Sequence, residues 1–97
     1  MKTTYLFQNE GTCSSAVTIT LEGDTIEKIA FRGGCSGNTQ GIARLAEGRS
    51  ADEVIGLLRG IRCGFKPTSC PDQLAQALEM IRDGKESRRL HKLEAEV

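Results

Sequence analysis

The chain has 97 residues, enough for one domain, and a domain of this size buries only a little over ~60% of its unfolded surface. Thirteen basic residues balance thirteen acidic ones, so the charge gives no reason to expect a nucleic acid or an anionic membrane as partner. No apolar run approaches the ~18 residues that span a bilayer, and the first residues lack the apolar core of a signal peptide. We therefore expect a protein of the cytoplasm, where cysteine clusters indicate metal or redox chemistry more often than disulfides.

The first third of the chain has the pattern of a small antiparallel sheet. Residues 3–8 predict a short strand that ends at a turn. Residues 17–21 alternate apolar side chains with threonines, which is the period of a half-buried strand. Residues 25–32 return after a glycine turn as the second arm of a hairpin. Three strands are therefore predicted before the glycine-rich run at 33–37.

Apolar residues spaced three and four apart then predict three helices. The first ends at Gly48, the second opens with a capping box formed by Ser50 and Glu53, and the third begins near Pro71. Their apolar stripes are Ile42, Leu45 and Ala46, then Val54, Leu57, Leu58 and Ile61, then Leu74, Ala77, Leu78 and Ile81.

Residues 1–83 are expected to form a single domain, followed by a charged tail at 84–97. The tail is predicted to be helical or frayed, with Leu90 and Leu93 as its anchors. Three strands followed by three helices predict an α+β fold with a three-stranded antiparallel sheet.

Each of the four cysteines falls at a junction between predicted elements rather than on an apolar face. They are Cys13 before the second strand, Cys35 after the third, Cys63 after the second helix and Cys70 at the start of the third. Loops at the ends of elements can bring several sulfurs to one point, as a metal site requires. The chain has neither a C-x-x-C redox motif nor a paired C-x-x-C zinc ribbon, so the metal interpretation depends on placement. The alternatives are four ordinary buried thiols or a disulfide framework.

Cys70 has the most specific local context. The residue before a proline is disfavoured in the α region, so Cys70 is predicted to be the N-cap of the third helix, with Ser69 and Asp72 adding an S-x-x-D cap. A sulfur at this point faces free backbone amides and the positive end of the helix, which favour the thiolate. Cys35 and Ser36 are placed similarly, at the glycine-rich start of the first helix.

Other chemistry has weaker support in the sequence. The run from Gly33 to Gly41 follows a strand and opens a helix, where phosphates bind, but it lacks the P-loop ending and the dinucleotide glycine order. Nucleotide binding by this loop is thus a minor alternative. His91 is the only histidine and lies in the charged tail, where we expect it to be solvated. Cys–His nucleophilic catalysis consequently has no convincing base.

The string TSCPD at residues 68–72 is the signature of the TSCPD domain. The segments FRGGCSGNTQGIARLAEG and IRCGFKPTSCPDQLAQAL resemble the small bacterial proteins of that family, over residues 3–82. The same domain is attached to vitamin B12-dependent ribonucleotide reductases, where a cysteine-rich terminal segment is thought to bind zinc or to assist thiol exchange. The resemblance implies an accessory part rather than an enzyme, since 97 residues are too few for a reductase barrel. It also implies a protein partner, either a ribonucleotide reductase or a thiol-redox system.

A weaker resemblance is to the iron–sulfur scaffold proteins of the IscU/SufU type, which also run three strands and then helices. The positions of three cysteines agree, namely Cys13, Cys35 and Cys70, and EGRSADEV resembles the link between the scaffold helices. Ser15 and Ser69 stand where the scaffolds have an aspartate and a histidine that help to make their cluster labile. Cys63 is an additional cysteine, and four thiolates suit structural zinc or a stable cluster better than a delivery platform.

The preferred interpretation is an α+β domain of IscU-like layout that binds zinc through four thiolates. The ligands would be Cys13, Cys35, Cys63 and Cys70, and support at the helix starts would come from Ser36, Ser69 and Asp72. One alternative is an iron–sulfur or thiol-redox protein with a reactive thiolate at Cys35 or Cys70. The other is a metal-free interaction domain with buried thiols.

Overall fold

The computed structural model describes residues 2–34 and 36–96. The strands are β1 (Lys2–Gln8), β2 (Ser14–Glu22), β3 (Thr25–Gly33) and β4 (Leu90–Glu96), and the helices are α1 (Ser36–Ala46), α2 (Ala51–Leu58) and α3 (Cys70–Asp83). The strands form one antiparallel sheet in the order β3-β2-β1-β4. The predicted α+β class is confirmed. Over the two described ranges, none of the helices is long and apolar enough to cross a bilayer.

The sheet has four strands rather than the three predicted, because the charged tail forms a strand and not a helix. β4 pairs antiparallel with β1, placing Leu90 opposite Phe7. An edge strand with one face in water carries polar residues readily, and its pairing satisfies the main-chain groups along β1. Arg89 fixes the start of β4, since its guanidinium lies 4.5 Å from the centroid of the Phe7 ring.

The core lies between the sheet and the helices and is aliphatic apart from Phe7. The alternation predicted for β2 is confirmed, because Val17, Ile19 and Leu21 are all buried. They belong to one cluster with Leu74 and Leu78, which are fully buried on α3. This packing places the N-terminus of α3 beside the loop that connects β1 and β2.

Two of the predicted apolar stripes are only partly buried. Leu45 of α1 and Leu57 of α2 are 69% and 60% exposed. α2 ends before Ile61 because Gly60, at φ +92°, turns the chain away from the helix axis. Ile61 is therefore outside the helix and 41% exposed.

The connection between α1 and α2 covers part of the outer edge of β3. The Ile26 amide donates to the Arg49 carbonyl at 2.9 Å, and the Gly48 amide donates to the Ile26 carbonyl at 2.7 Å. One half of the predicted capping box is confirmed, since the Ser50 hydroxyl accepts from the Glu53 amide at 3.2 Å. The Glu53 carboxylate accepts from Arg49 at 2.7 Å.

We expect Leu78→Ala to lower the free energy of unfolding by about 2–5 kcal/mol, because truncating a fully buried leucine removes contacts and leaves a cavity. Leu93→Ala is the matched control: this leucine is 56% exposed on β4. Its cost should stay near or below about 0.5 kcal/mol. Denaturant unfolding followed by circular dichroism measures both variants, and equal losses would contradict this assignment of the core.

Candidate functional site

Three of the cysteines line one open pocket of about 250 Å³. Cys13 lies in the loop before β2, Cys63 in the loop between α2 and α3, and Cys70 in the first turn of α3. Asn38 of α1 also lines this pocket. Cys35 lies outside the described residues. The β1–β2 loop, the α2–α3 loop and the start of α3 thus bring cysteines far apart in sequence to the same pocket.

The three described cysteines are free thiols that differ in exposure: Cys13 and Cys63 are exposed and Cys70 is buried. Within residues 2–34 and 36–96, no three cysteine, histidine or acidic side chains are close enough to form a metal-binding group. The sulfurs therefore share a pocket without converging on one point in this conformation. His91, predicted to be solvated, is exposed on β4.

A polar network holds the sulfur of Cys70. The Ser14 hydroxyl lies 2.9 Å from the Cys70 Sγ, and both groups are buried. The Asn9 Nδ2 donates to the Ser14 hydroxyl at 2.8 Å, and the Thr12 hydroxyl donates to the Ser14 carbonyl at 2.8 Å. Because Ser14 accepts from Asn9, its own hydroxyl hydrogen is available to the sulfur. This arrangement positions Cys70 from the side of β2.

The glycine-rich loop before α1 approaches the same place. A Cβ on Gly34 would lie 3.2 Å from the backbone nitrogen and the Cβ of Ser14, and Gly34 has a φ of +84°. Only glycine tolerates both the positive φ and this close approach. The glycine at position 34 is thus explained by its contact with Ser14, the residue that touches Cys70.

Cys13 has a basic neighbour at the pocket rim. The Lys66 ammonium lies 3.9 Å from the Cys13 Sγ, at the limit for an N–H···S hydrogen bond, and both side chains are exposed. Arg62 also lines the pocket. Two basic side chains therefore line the pocket that holds the three thiols.

Ser69, rather than Cys70, is the N-cap of α3. The Ser69 hydroxyl accepts from the Asp72 amide at 3.2 Å, so the predicted S-x-x-D cap is confirmed. The N-cap is Ser69 because its hydroxyl accepts from the amide three residues later, and Cys70 is consequently the first residue of the helix. Ser69 also donates to the Ile61 carbonyl at 2.6 Å, which ties the preceding loop to the helix start.

Asp72 is a buried carboxylate that braces this loop. Its Oδ1 accepts from the Gly60 amide at 2.6 Å and from Arg59 at 3.2 Å. Its Oδ2 accepts from the Thr68 hydroxyl at 2.5 Å and from Gln76 at 2.8 Å. Burial alone would raise the pKa of Asp72, but these hydrogen bonds and the charge of Arg59 outweigh it and hold the pKa below its ordinary value.

The residues of the TSCPD string therefore divide into two roles. Thr68, Ser69 and Asp72 fix the α2–α3 loop to the start of α3, whereas Cys70 lines the pocket. Ser36, the other predicted support residue, is the first residue of α1. Sequence reasoning missed Ser14 and Lys66, which have no local pattern that distinguishes them from other polar loop or strand residues.

The chain belongs to the TSCPD domain family, whose model matches residues 2–82. The matched range contains the pocket cysteines and the motif at 68–72, and it ends before β4. Searches of curated proteins and of solved structures gave no match. The IscU-like layout stays a prediction.

We expect Asp72→Asn to lower the free energy of unfolding by about 1–3 kcal/mol at neutral pH, because the new amide must face a buried donor. The folded-state pKa of Asp72 is below the unfolded value, so the stability it contributes is present above the unfolded value. This stability is lost as the pH falls through the folded-state pKa. The difference in the free energy of unfolding between wild type and Asp72→Asn should therefore become smaller below about pH 4.

Urea unfolding at a series of pH values measures this difference. Asp83→Asn is the control, since that carboxylate pairs with Arg82 at an exposed site and its loss should leave the midpoint close to wild type. A gap between wild type and Asp72→Asn that stayed constant down to acidic pH would contradict the charged, braced carboxylate.

Proposed function

We propose that this protein is a small accessory domain that binds zinc through Cys13, Cys63 and Cys70, with Cys35 as the fourth ligand. The observation that supports it best is the single pocket that Cys13, Cys63 and Cys70 share. Soft thiolates are the preferred ligands of structural zinc. Cys13 and Cys63 are exposed, so rotation about their side-chain bonds can bring their sulfurs toward the buried and oriented Cys70.

The fourth position is assigned to Cys35 from its place in the chain. Its neighbour Gly34 packs against Ser14, and Asn38, in the first turn of α1, lines the cysteine pocket. Four thiolates would make a closed site, which is typical of zinc that stabilises a fold rather than zinc that performs catalysis. A domain of 97 residues has a small core, which such a site would reinforce.

The charge of the surroundings suits this ligand set. Four thiolates and one Zn²⁺ sum to a charge of about −2, and such a centre is stabilised by donors around the sulfurs. Lys66 approaches the Cys13 sulfur, and Arg62 lines the same pocket. Ser14 supplies the neutral donor at Cys70.

The accessory role rests on membership of the TSCPD domain family. By the resemblance described above, the domain is related to a segment of ribonucleotide reductase. The proposed partner is therefore a cytoplasmic ribonucleotide reductase or the thiol system that reduces it. Retention of a purified B12-dependent reductase on the immobilised full chain tests the partner. Absence of retention at moderate salt would reject this partner and leave the metal proposal to its own test.

We expect about one zinc per chain in protein purified anaerobically without chelator, measured by elemental analysis. Cys70→Ser should lose the zinc and lower the unfolding midpoint, since ligand binding contributes to folding. His91→Asn, which alters an exposed residue of β4, should keep the zinc content and the unfolding midpoint of wild type. Zinc-free protein with four titratable thiols would contradict the proposal. Iron and sulfide in the purified protein would also contradict it and would indicate an iron–sulfur cluster in place of zinc.

Cys35→Ser tests the fourth ligand separately. Loss of zinc affinity comparable to that of Cys63→Ser would support ligation by Cys35. Unchanged affinity would contradict it and leave a three-sulfur site completed by another donor.

Lys66→Gln should weaken zinc binding about tenfold with the stoichiometry unchanged, because it removes a charged donor near one ligand sulfur. Lys66→Arg should recover part of the affinity. Competition with a chromophoric chelator at fixed pH gives the dissociation constants. Lys92→Gln is the matched control, an exposed lysine on β4. Equal weakening in Lys66→Gln and Lys92→Gln would show that net charge, not position, is responsible.

A further inference from the structure

The outer edge of β3 is covered along only part of its length. The connection between α1 and α2 pairs with Ile26, and the Glu47 carboxylate accepts from the Ile29 amide at 3.2 Å. The direction of hydrogen bonding alternates along an antiparallel pair, and the β2–β3 register is regular from residue 28 to residue 32. Because the Ile29 amide points away from β2, the Ile29 carbonyl and both main-chain groups of Phe31 also point to the outer edge.

These three main-chain groups are open to a partner. Over residues 2–34 and 36–96, none of the three forms a hydrogen bond, since β3 is the last strand on this side of the sheet. An edge strand in this condition can pair with one more strand. The edge near Phe31 can therefore bind an extended segment through one amide and two carbonyls.

A groove of about 400 Å³ lies beside this open edge, between β3 and α1. Ile29 and Phe31 line it from the strand, Thr39 and Ala43 line it from the helix, and Gly34 lines it from the loop between them. A strand paired with β3 would direct alternate side chains into this groove. The apolar strand residues and the small helix residues favour apolar side chains of moderate size at those positions.

The other face of the same edge is basic. Lys28, Ala30 and Arg32 alternate with the residues that line the groove, and all three are exposed. The acidic residue of β3, Glu27, is paired with Lys2 at 3.3 Å. Neither Lys28 nor Arg32 forms an ion pair with any residue that the structure describes. Since opposite charges on neighbouring strands attract each other, a paired strand should be acidic on this face.

We propose that this edge of β3 binds an extended segment of a partner protein in which acidic and apolar residues alternate. The apolar side chains face the groove beside α1, the acidic ones face Lys28 and Arg32, and the main chain pairs with Ile29 and Phe31. A second copy is disfavoured at this edge, because two-fold pairing of β3 with β3 would bring the cations of both copies to one face. The inference is independent of the proposed metal site.

A capped, fluorescent peptide of four glutamates alternating with three valines is the probe, because it carries both features of the proposed segment. Fluorescence anisotropy with the full chain should show saturable binding with a dissociation constant below about 1 mM. The same peptide with lysine in place of glutamate should bind at least tenfold more weakly. In a proton–nitrogen correlation spectrum, the Phe31 amide should shift on binding, whereas the amide of Lys92, on the opposite edge strand, should not.

Charge reversal in the protein tests the basic face. Lys28→Glu combined with Arg32→Glu should weaken binding of the glutamate peptide at least tenfold and strengthen binding of the lysine peptide. The matched control combines Lys85→Glu with Arg88→Glu, which changes the net charge equally at exposed residues before β4 and should leave the affinity close to wild type. Circular dichroism confirms that each variant is folded. Equal weakening in the two double variants would attribute binding to net charge and overturn the proposal.

Methylated peptides separate strand pairing from simple charge attraction. An extended peptide presents its valine amides on one side and its glutamate amides on the other, and a strand paired antiparallel with β3 uses the valine amides. N-methylation of the valines should therefore weaken binding at least tenfold, whereas N-methylation of the glutamates should leave it nearly unchanged. Equal affinity of the two methylated peptides, absence of saturable binding, or spectral shifts confined to residues outside β3 and α1 would overturn the proposal.

Discussion

The buried carboxylate of Asp72 is the interaction on which the candidate site depends. Its two oxygens accept from the end of α2, from Thr68 and from α3, so a single group joins three parts of the chain. A buried charge is costly unless it is fully hydrogen-bonded, and here four donors satisfy it. The loop that carries Cys63, Phe65 and Lys66 is consequently fixed relative to the helix that carries Cys70.

The polar network does not stop at this loop. Gln73 donates to the Thr68 hydroxyl at 2.9 Å and, through its Oε1, accepts from Arg89 immediately before β4. Arg89 in turn donates to the Gln8 carbonyl at 2.9 Å. The start of α3, the pocket loop and the added strand are thus held by one continuous set of hydrogen bonds. Their positions depend on each other, which is how buried polar networks specify a unique arrangement.

Much of the fold could be predicted because local chemistry determines it. The alternation in β2 and the caps at Ser50 and Ser69 depend on residues within a few positions of each other, and all three are present. β4 was missed because a half-exposed edge strand and a solvated helix share the same charged composition. The contact between Ser14 and Cys70 joins residues 56 positions apart, so no local pattern could have indicated it.

Strand β4 lies outside the segment that matches the family and covers one edge of the sheet. The family match ends at residue 82, whereas the strand that covers β1 begins at Leu90. The matched segment by itself would display β1 as a long edge with unpaired amides and carbonyls, which is a template for sheet-to-sheet aggregation. In this chain the residues after the matched segment cover β1 and replace it at the sheet edge with a strand that carries charged side chains, which disfavour edge-to-edge pairing.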